Sequence, residues 1–131
     1  MILLDTNILI DYFRGKQPAI DFINKHPKEN LAVTSIIVME LYKGSLNKLE
    51  FDKIKKTLKG FLIIDLNETV SQLALRLSER YALSHTMEIP DTLIAATALV
   101  YDLELKTYNR VVEPLKDFQF IPTLKVSNHL E

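Results

Sequence analysis

MILLDTNILIDYF, residues 1–13, opens with the apolar run Ile2-Leu3-Leu4 and halts it at Asp5-Thr6-Asn7. A short, unbroken apolar run that ends on turn formers reads as a strand buried on both faces, the kind found inside parallel sheets. The residues after it, ILIDYFR, read as a helix that Asn7 can cap and Gly15 can end. A doubly buried strand feeding directly into a helix is the first half of a strand–helix–strand unit, and the rest of the chain continues that alternation.

Pro18 suits the first turn of a second helix, AIDFINKH, which stops before Pro27. A short strand, Leu31-Ala32-Val33, leads into a helix that starts near Thr34 or Ser35 and ends near Gly44. A further helical stretch, Asn47 to Lys59, places Phe51, Ile54 and Leu58 on one face. Phe61-Leu62-Ile63-Ile64 is a third strand. Asn67 can cap a helix with Val70, Leu73, Ala74, Leu77 and Tyr81 at spacings of three and four, the mark of one buried stripe. Pro90 opens the helix DTLIAATALVYD. A fourth strand is expected near Glu104 to Thr107 and a fifth near Leu124 to Val126. Strands alternating with helices imply an α/β fold, here a three-layer α/β/α sandwich around a central, mostly parallel five-stranded sheet, with right-handed crossovers.

The 131 residues suit one domain, spanning 1–131, because single domains most often have roughly 100 to 150 residues. With 47% hydrophobic and 25% charged residues the chain is too apolar to be disordered. The absence of cysteine excludes disulfides, thiolate metal sites and cysteine nucleophiles. The amino terminus lacks the basic start and long apolar core of a signal peptide, and no apolar run is long enough to span a bilayer, so a cytoplasmic protein without a membrane partner is expected. Sixteen basic residues against seventeen acidic ones give a net charge of −1, so a nucleic-acid partner has to be held by local patches or by metal. Lys53, Lys55, Lys56 and Lys59, with Lys43, Lys48 and Arg110, could steer such a partner, or could simply form solvated surface.

In parallel α/β sheets ligands gather beyond the carboxyl ends of the strands. Asp5 ends the first strand there, although an aspartate in that place also serves turns and helix caps. Glu40 lies in SIIVMELYKG, whose apolar neighbours leave little solvent-facing helix. A carboxylate buried in such a setting needs a cation, either a basic side chain such as Lys43 or Arg14, or a metal. Asp91 follows Pro90 at the start of another largely apolar helix, where an acid also favours the helix dipole. Three carboxylates converging at one sheet edge would repel each other unless a cation neutralised them. An all-oxygen ligand set suits Mg²⁺ or Mn²⁺, ions that activate water and bind phosphate oxygens.

Four segments, MILLDTNILID, TSIIVMELYKG, IPDTLIAATAL and LKTYN with DFQFIPTLKV, resemble in order the motifs of the PIN domain, specifically the VapC-type toxin ribonucleases. The resemblance covers nearly the whole chain. It implies a metal-dependent endoribonuclease that forms a homodimer and is inhibited by a cognate VapB-type antitoxin whose carboxyl-terminal segment lies over the cleft. Residue by residue, the family's metal site falls on Asp5, Glu40 and Asp91, and Thr6, Thr107 and Asn109 fall around the pocket. A fourth acid commonly stands before a phenylalanine shortly after that asparagine. Here RVVEPLK intervenes and the Asp117-Phe118 pair comes late, so Asp117 is the expected fourth acid and Glu113 the alternative. The Arg110–Lys116 insertion contains Pro114 and reads as a loop or single turn near the cleft mouth.

Two other readings remain open at this point. Asp65 after Phe61-Leu62-Ile63-Ile64 imitates the phosphorylated aspartate of a receiver-like signalling domain, but the acid pair such a domain places after its first strand is missing. A catalytically inactive PIN-like binding module is the second. His26, His85 and His129 are dispersed without metal-ligand spacing, and no glycine pattern cradles a phosphate.

Overall fold

The computed structural model describes residues 1–84, 87–107 and 126–127. Ile2-Leu3-Leu4 forms the strand β1 (Ile2–Leu4). Leu3 and Leu4 point to opposite faces, and both are wholly buried, so helices cover the sheet on both sides. The next elements are α1 (Thr6–Phe13) and α2 (Gln17–Asn24), a single 3₁₀ turn, then β2 (Leu31–Thr34) and α3 (Ser35–Lys43). After them come α4 (Lys48–Leu58), β3 (Leu62–Ile64), α5 (Glu68–Tyr81), α6 (Ile89–Val100), β4 (Glu104–Lys106) and β5 (Val126–Ser127).

Strand order is β3-β2-β1-β4-β5, and every adjacent pair is parallel. The sheet has five strands, the number expected. Among the described residues β5 pairs with β4 through Leu105 with Val126 and Lys106 with Ser127. The chain builds outward from β1 through β2 to β3, then crosses back to place β4 on the other side of β1. That reversal leaves a crevice beyond the carboxyl ends of β1 and β4, where the helices leading away from the two halves of the sheet diverge.

The helices form where the sequence marks them, with one exception. Asn47 and Asn67 cap α4 and α5 by accepting the Glu50 and Val70 amides. The α5 stripe buries Val70, Ala74 and Leu77. Helix α6 buries Ala95, Ala96 and Ala98 beside Ile94, small side chains that let it pack closely along α5. The exception is α1: Asp5 is its capping residue, and Asn7 lies inside the helix. The cap moves because the Asp5 carboxylate, held at the strand end, already accepts the first helical amide. Gly15 follows α1 at φ +77°, a left-handed conformation that suits glycine at a helix exit. Lys53, Lys55, Lys56 and Lys59 are all exposed. No helix among the described residues is long and apolar enough to cross a membrane.

A candidate active site at the carboxyl ends of β1 and β4

Asp5 sits in the crevice where the strand order reverses, and it is only 6% exposed. Its amide donates to the Lys106 carbonyl at 2.9 Å, extending the pairing of β1 with β4 by one residue. The carboxylate is held at both oxygens. Oδ1 accepts the Thr6 amide at 2.7 Å, and Oδ2 accepts the Thr107 hydroxyl at 2.9 Å. Thr107, at the end of β4, is completely buried. Two residues 102 positions apart in the chain are thus joined directly by the topology.

Burial pushes the Asp5 carboxyl above its ordinary value of 3.8, because an anion is disfavoured away from water. The hydroxyl of Thr107 and the amide of Thr6 work against that shift by hydrogen-bonding the anion. The negative charge of Glu40 works with it, which puts the two acids in one another's field.

Glu40 reaches this corner from α3. Its Oε1 accepts the Thr6 hydroxyl at 2.8 Å. The expectation that Glu40 is buried is wrong: it is exposed, as is Met39 beside it, at 54%. Helix α3 buries Ile37, Val38 and Leu41, so its apolar stripe is narrower than the composition of SIIVMELYKG suggests. Glu40 is therefore kept in place by a hydrogen bond and not by enclosure.

Asp91 stands half-buried in the first turn of α6. Among the described residues no three acidic or histidine side chains stand close enough to hold one metal ion together. Asp5 and Glu40 form an electrostatically coupled pair at this corner. Asn109, Glu113, Asp117 and the Arg110–Lys116 insertion lie outside the described residues. Asp65, the acid of the receiver reading, is exposed after the edge strand β3, two strands away from β1. It takes no part in the crevice at β1 and β4.

Beside Glu40 a cleft of about 210 Å³ runs between α1, α3 and α4. Ile10, Phe13, Leu41 and Ile54 supply its apolar wall, with Arg14 and Glu50 among the charged residues that line it. Tyr12 and Phe13 are adjacent aromatic residues near the end of α1. Of that pair it is Phe13 that lines the cleft, while Tyr12 is half-buried with its ring edge-on to Phe13 at 5.4 Å. The bridge from Thr6 to Glu40 was not legible in the sequence, because it joins elements whose approach depends on how α1 packs on α3.

Comparison with known proteins agrees with this architecture. The PIN domain family model matches residues 2–116. Ribonuclease VapC10 of Mycobacterium tuberculosis is 33% identical over 131 residues, covering 98% of this chain and 97% of that protein. One chain of a toxin-antitoxin complex from Klebsiella pneumoniae superimposes with a TM-score of 0.79 at 31% identity, covering 98% and 97% of the two chains. A chain of VapBC2 from Rickettsia felis, solved bound to a promoter DNA fragment, shares the fold with a TM-score of 0.83 at 23% identity, covering 98% and 99%.

Proposed function

Because the chain belongs to the PIN domain family, we propose that it is a metal-dependent endoribonuclease, the toxin of a VapBC-type toxin–antitoxin pair, acting as one nuclease domain across residues 1–131. The observation that carries this reading is the buried Asp5, pinned by Thr107 across the crevice of the sheet and coupled to Glu40 through Thr6. The names of its relatives, a ribonuclease and a toxin-antitoxin complex, point the same way.

The donor set fits a hard divalent ion. It offers only oxygens, and Mg²⁺ commonly takes one or two carboxylates while keeping several waters. Asp5 and Glu40 meet that requirement, and a cation between them would relieve both the repulsion and the burial cost that raise the Asp5 carboxyl. We assign Asp5, Glu40 and Asp91 to a site for Mg²⁺ or Mn²⁺, with Asp5 and Glu40 on the ion and Asp91 on its bound waters, Asp117 as a fourth acid, Glu113 as its alternative and Asn109 beside them. When bound, such an ion supplies Lewis acidity toward a phosphate oxygen and lowers the pKa of water toward neutrality. The protein's own contribution is preorganisation. Thr107 and the first amide of α1 orient Asp5 and favour its anion against the effect of burial, and the amino end of α1 adds a favourable dipole. Thr107 is itself wholly buried, so its hydroxyl reaches Asp5 from inside the fold.

The cleft between α1, α3 and α4 suits the inhibitory segment of an antitoxin. An apolar side chain fits against Phe13 and Ile54, a basic one can meet Glu40 or Glu50, and occupancy there covers Glu40. A homodimer is the assembly expected of the toxin.

The test is cleavage of single-stranded RNA by the purified protein in Mg²⁺ or Mn²⁺. Chelation should stop it, and Asp5→Asn, Glu40→Gln and Asp91→Asn should each abolish it while leaving the fold intact. Asp117→Asn should cut activity severely and Glu113→Gln should not. Cleavage that survives chelation, or an Asp5→Asn variant as active as the parent, would overturn the assignment. RNA binding without cleavage would mark an inactive binding module.

A further inference from the structure

Thr6 makes two side-chain-directed contacts that tie separate elements together. Its amide donates to Asp5 Oδ1 at 2.7 Å, and its hydroxyl donates to Glu40 Oε1 at 2.8 Å. With the Thr107 hydroxyl on Asp5 Oδ2, this makes one continuous chain from the end of β4 through the end of β1 and the start of α1 to α3. The two acids at its centre are held very differently. Asp5 is buried and fastened at both oxygens. Glu40 is exposed on a long side chain, and the Thr6 hydroxyl is its hydrogen-bond donor. An exposed glutamate without such a tether samples many rotamers. Threonine suits the task because its β-branched side chain is stiff at χ1, so a hydroxyl on the first residue of α1 keeps a defined direction relative to the backbone that carries Asp5.

We propose that Thr6 is a positioning residue that acts through Glu40, fixing the Glu40 carboxylate at the distance from Asp5 at which the pair shares a divalent cation. The hydroxyl occupies Oε1 as a donor, and Oε2 would be the oxygen offered to the cation or its water. Thr6 itself is not a ligand. The proposal rests on the nuclease reading given above, since it concerns the same acids.

Calorimetric Mn²⁺ binding and chelator-treated thermal melting, measured on the full chain, separate the possibilities. Thr6→Val keeps the branched shape and removes the donor, and it should weaken Mn²⁺ binding by about tenfold, the lower range for loss of an outer hydrogen-bond partner. Thr6→Ser should restore it. In RNA cleavage the loss should fall on the metal concentration required more than on kcat at saturating metal. In a Glu40→Gln background Thr6→Val should cause no further loss of Mn²⁺ affinity, since its effect runs through Glu40. Thr6→Ala serves as a second donor-free variant should the valine disturb the helix start seen in metal-free melting. Mn²⁺ affinity unchanged in both donor-free variants would overturn the role of Thr6 and leave the nuclease assignment standing, as would an equal loss in the Glu40→Gln background. A parent protein that neither binds Mn²⁺ nor cleaves RNA would remove the nuclease assignment and this role with it.

Discussion

Asp5 is stabilised in place at a cost to its charge. Its carboxyl is raised chiefly by burial and secondarily by Glu40, so the metal-free folded state favours the protonated form more than the unfolded chain does. The sign follows from proton linkage. As far as Asp5 is concerned, stability is greatest below 3.8 and is lost as pH rises through the raised folded value. Asp5→Asn should therefore melt higher than the parent in chelator at neutral pH, with the gap narrowing as pH falls. A pH series of melting curves checks it, and a lower melting temperature at neutral pH would show that the two donors outweigh burial. Thr107→Val should act in the opposite direction. It leaves a buried carboxylate oxygen without its donor, a loss of roughly 1–3 kcal/mol that denaturant titration would detect.

Individual elements carry the site in unequal ways. Helix α1 does most, for its first residue bridges the two acids, its amino end caps onto Asp5, and its far end lines the cleft with Phe13. Helix α3 contributes one stripe to the core and leaves Glu40 on its open side. The cleft between them assigns different weights to two adjacent aromatic residues. Phe13→Ala should weaken binding of the cognate antitoxin by about tenfold or more, as truncation of a buried aromatic anchor does. Tyr12→Ala should weaken it less, because Tyr12 packs against the core and does not line the cleft. Surface-immobilised toxin titrated with antitoxin distinguishes them, and a larger effect from Tyr12 would move the docking surface to another face of α1.

Across the whole molecule, the order β3-β2-β1-β4-β5 sets both stability and the place of chemistry. β1 and β2 lie inside the sheet, and Leu3, Leu4, Leu31, Ala32, Val33 and Leu105 are wholly buried. β3 is an edge strand with Leu62 and Ile63 at 45% and 44% exposure. Amide exchange should consequently be slowest at Leu3, Ala32 and Leu105 and faster at Leu62 and Ile63, since edge strands open without global unfolding. Uniform protection across all five positions would mean that another chain covers the β3 edge.

Much of the architecture was legible because it depends on local physics. Apolar runs, capping asparagines and a three–four stripe act within a few residues, and they marked β1 to β4, α4 and α5 correctly. Asp5 was legible for the same reason, as a polar residue that halts a doubly buried strand. The environment of each acid was not. Glu40 sits in a segment apolar enough to suggest burial, yet which stripe of α3 is covered depends on how α1, α4 and α6 pack around it. The bond from Thr107 to Asp5 spans 102 positions, and it exists because the chain reverses strand order and lays β4 beside β1. Residue type and spacing determined which side chains can do chemistry here. Only the tertiary structure decided which of them meet, because hydrogen bonds and electric fields act over ångströms in space, and the topology sets those distances.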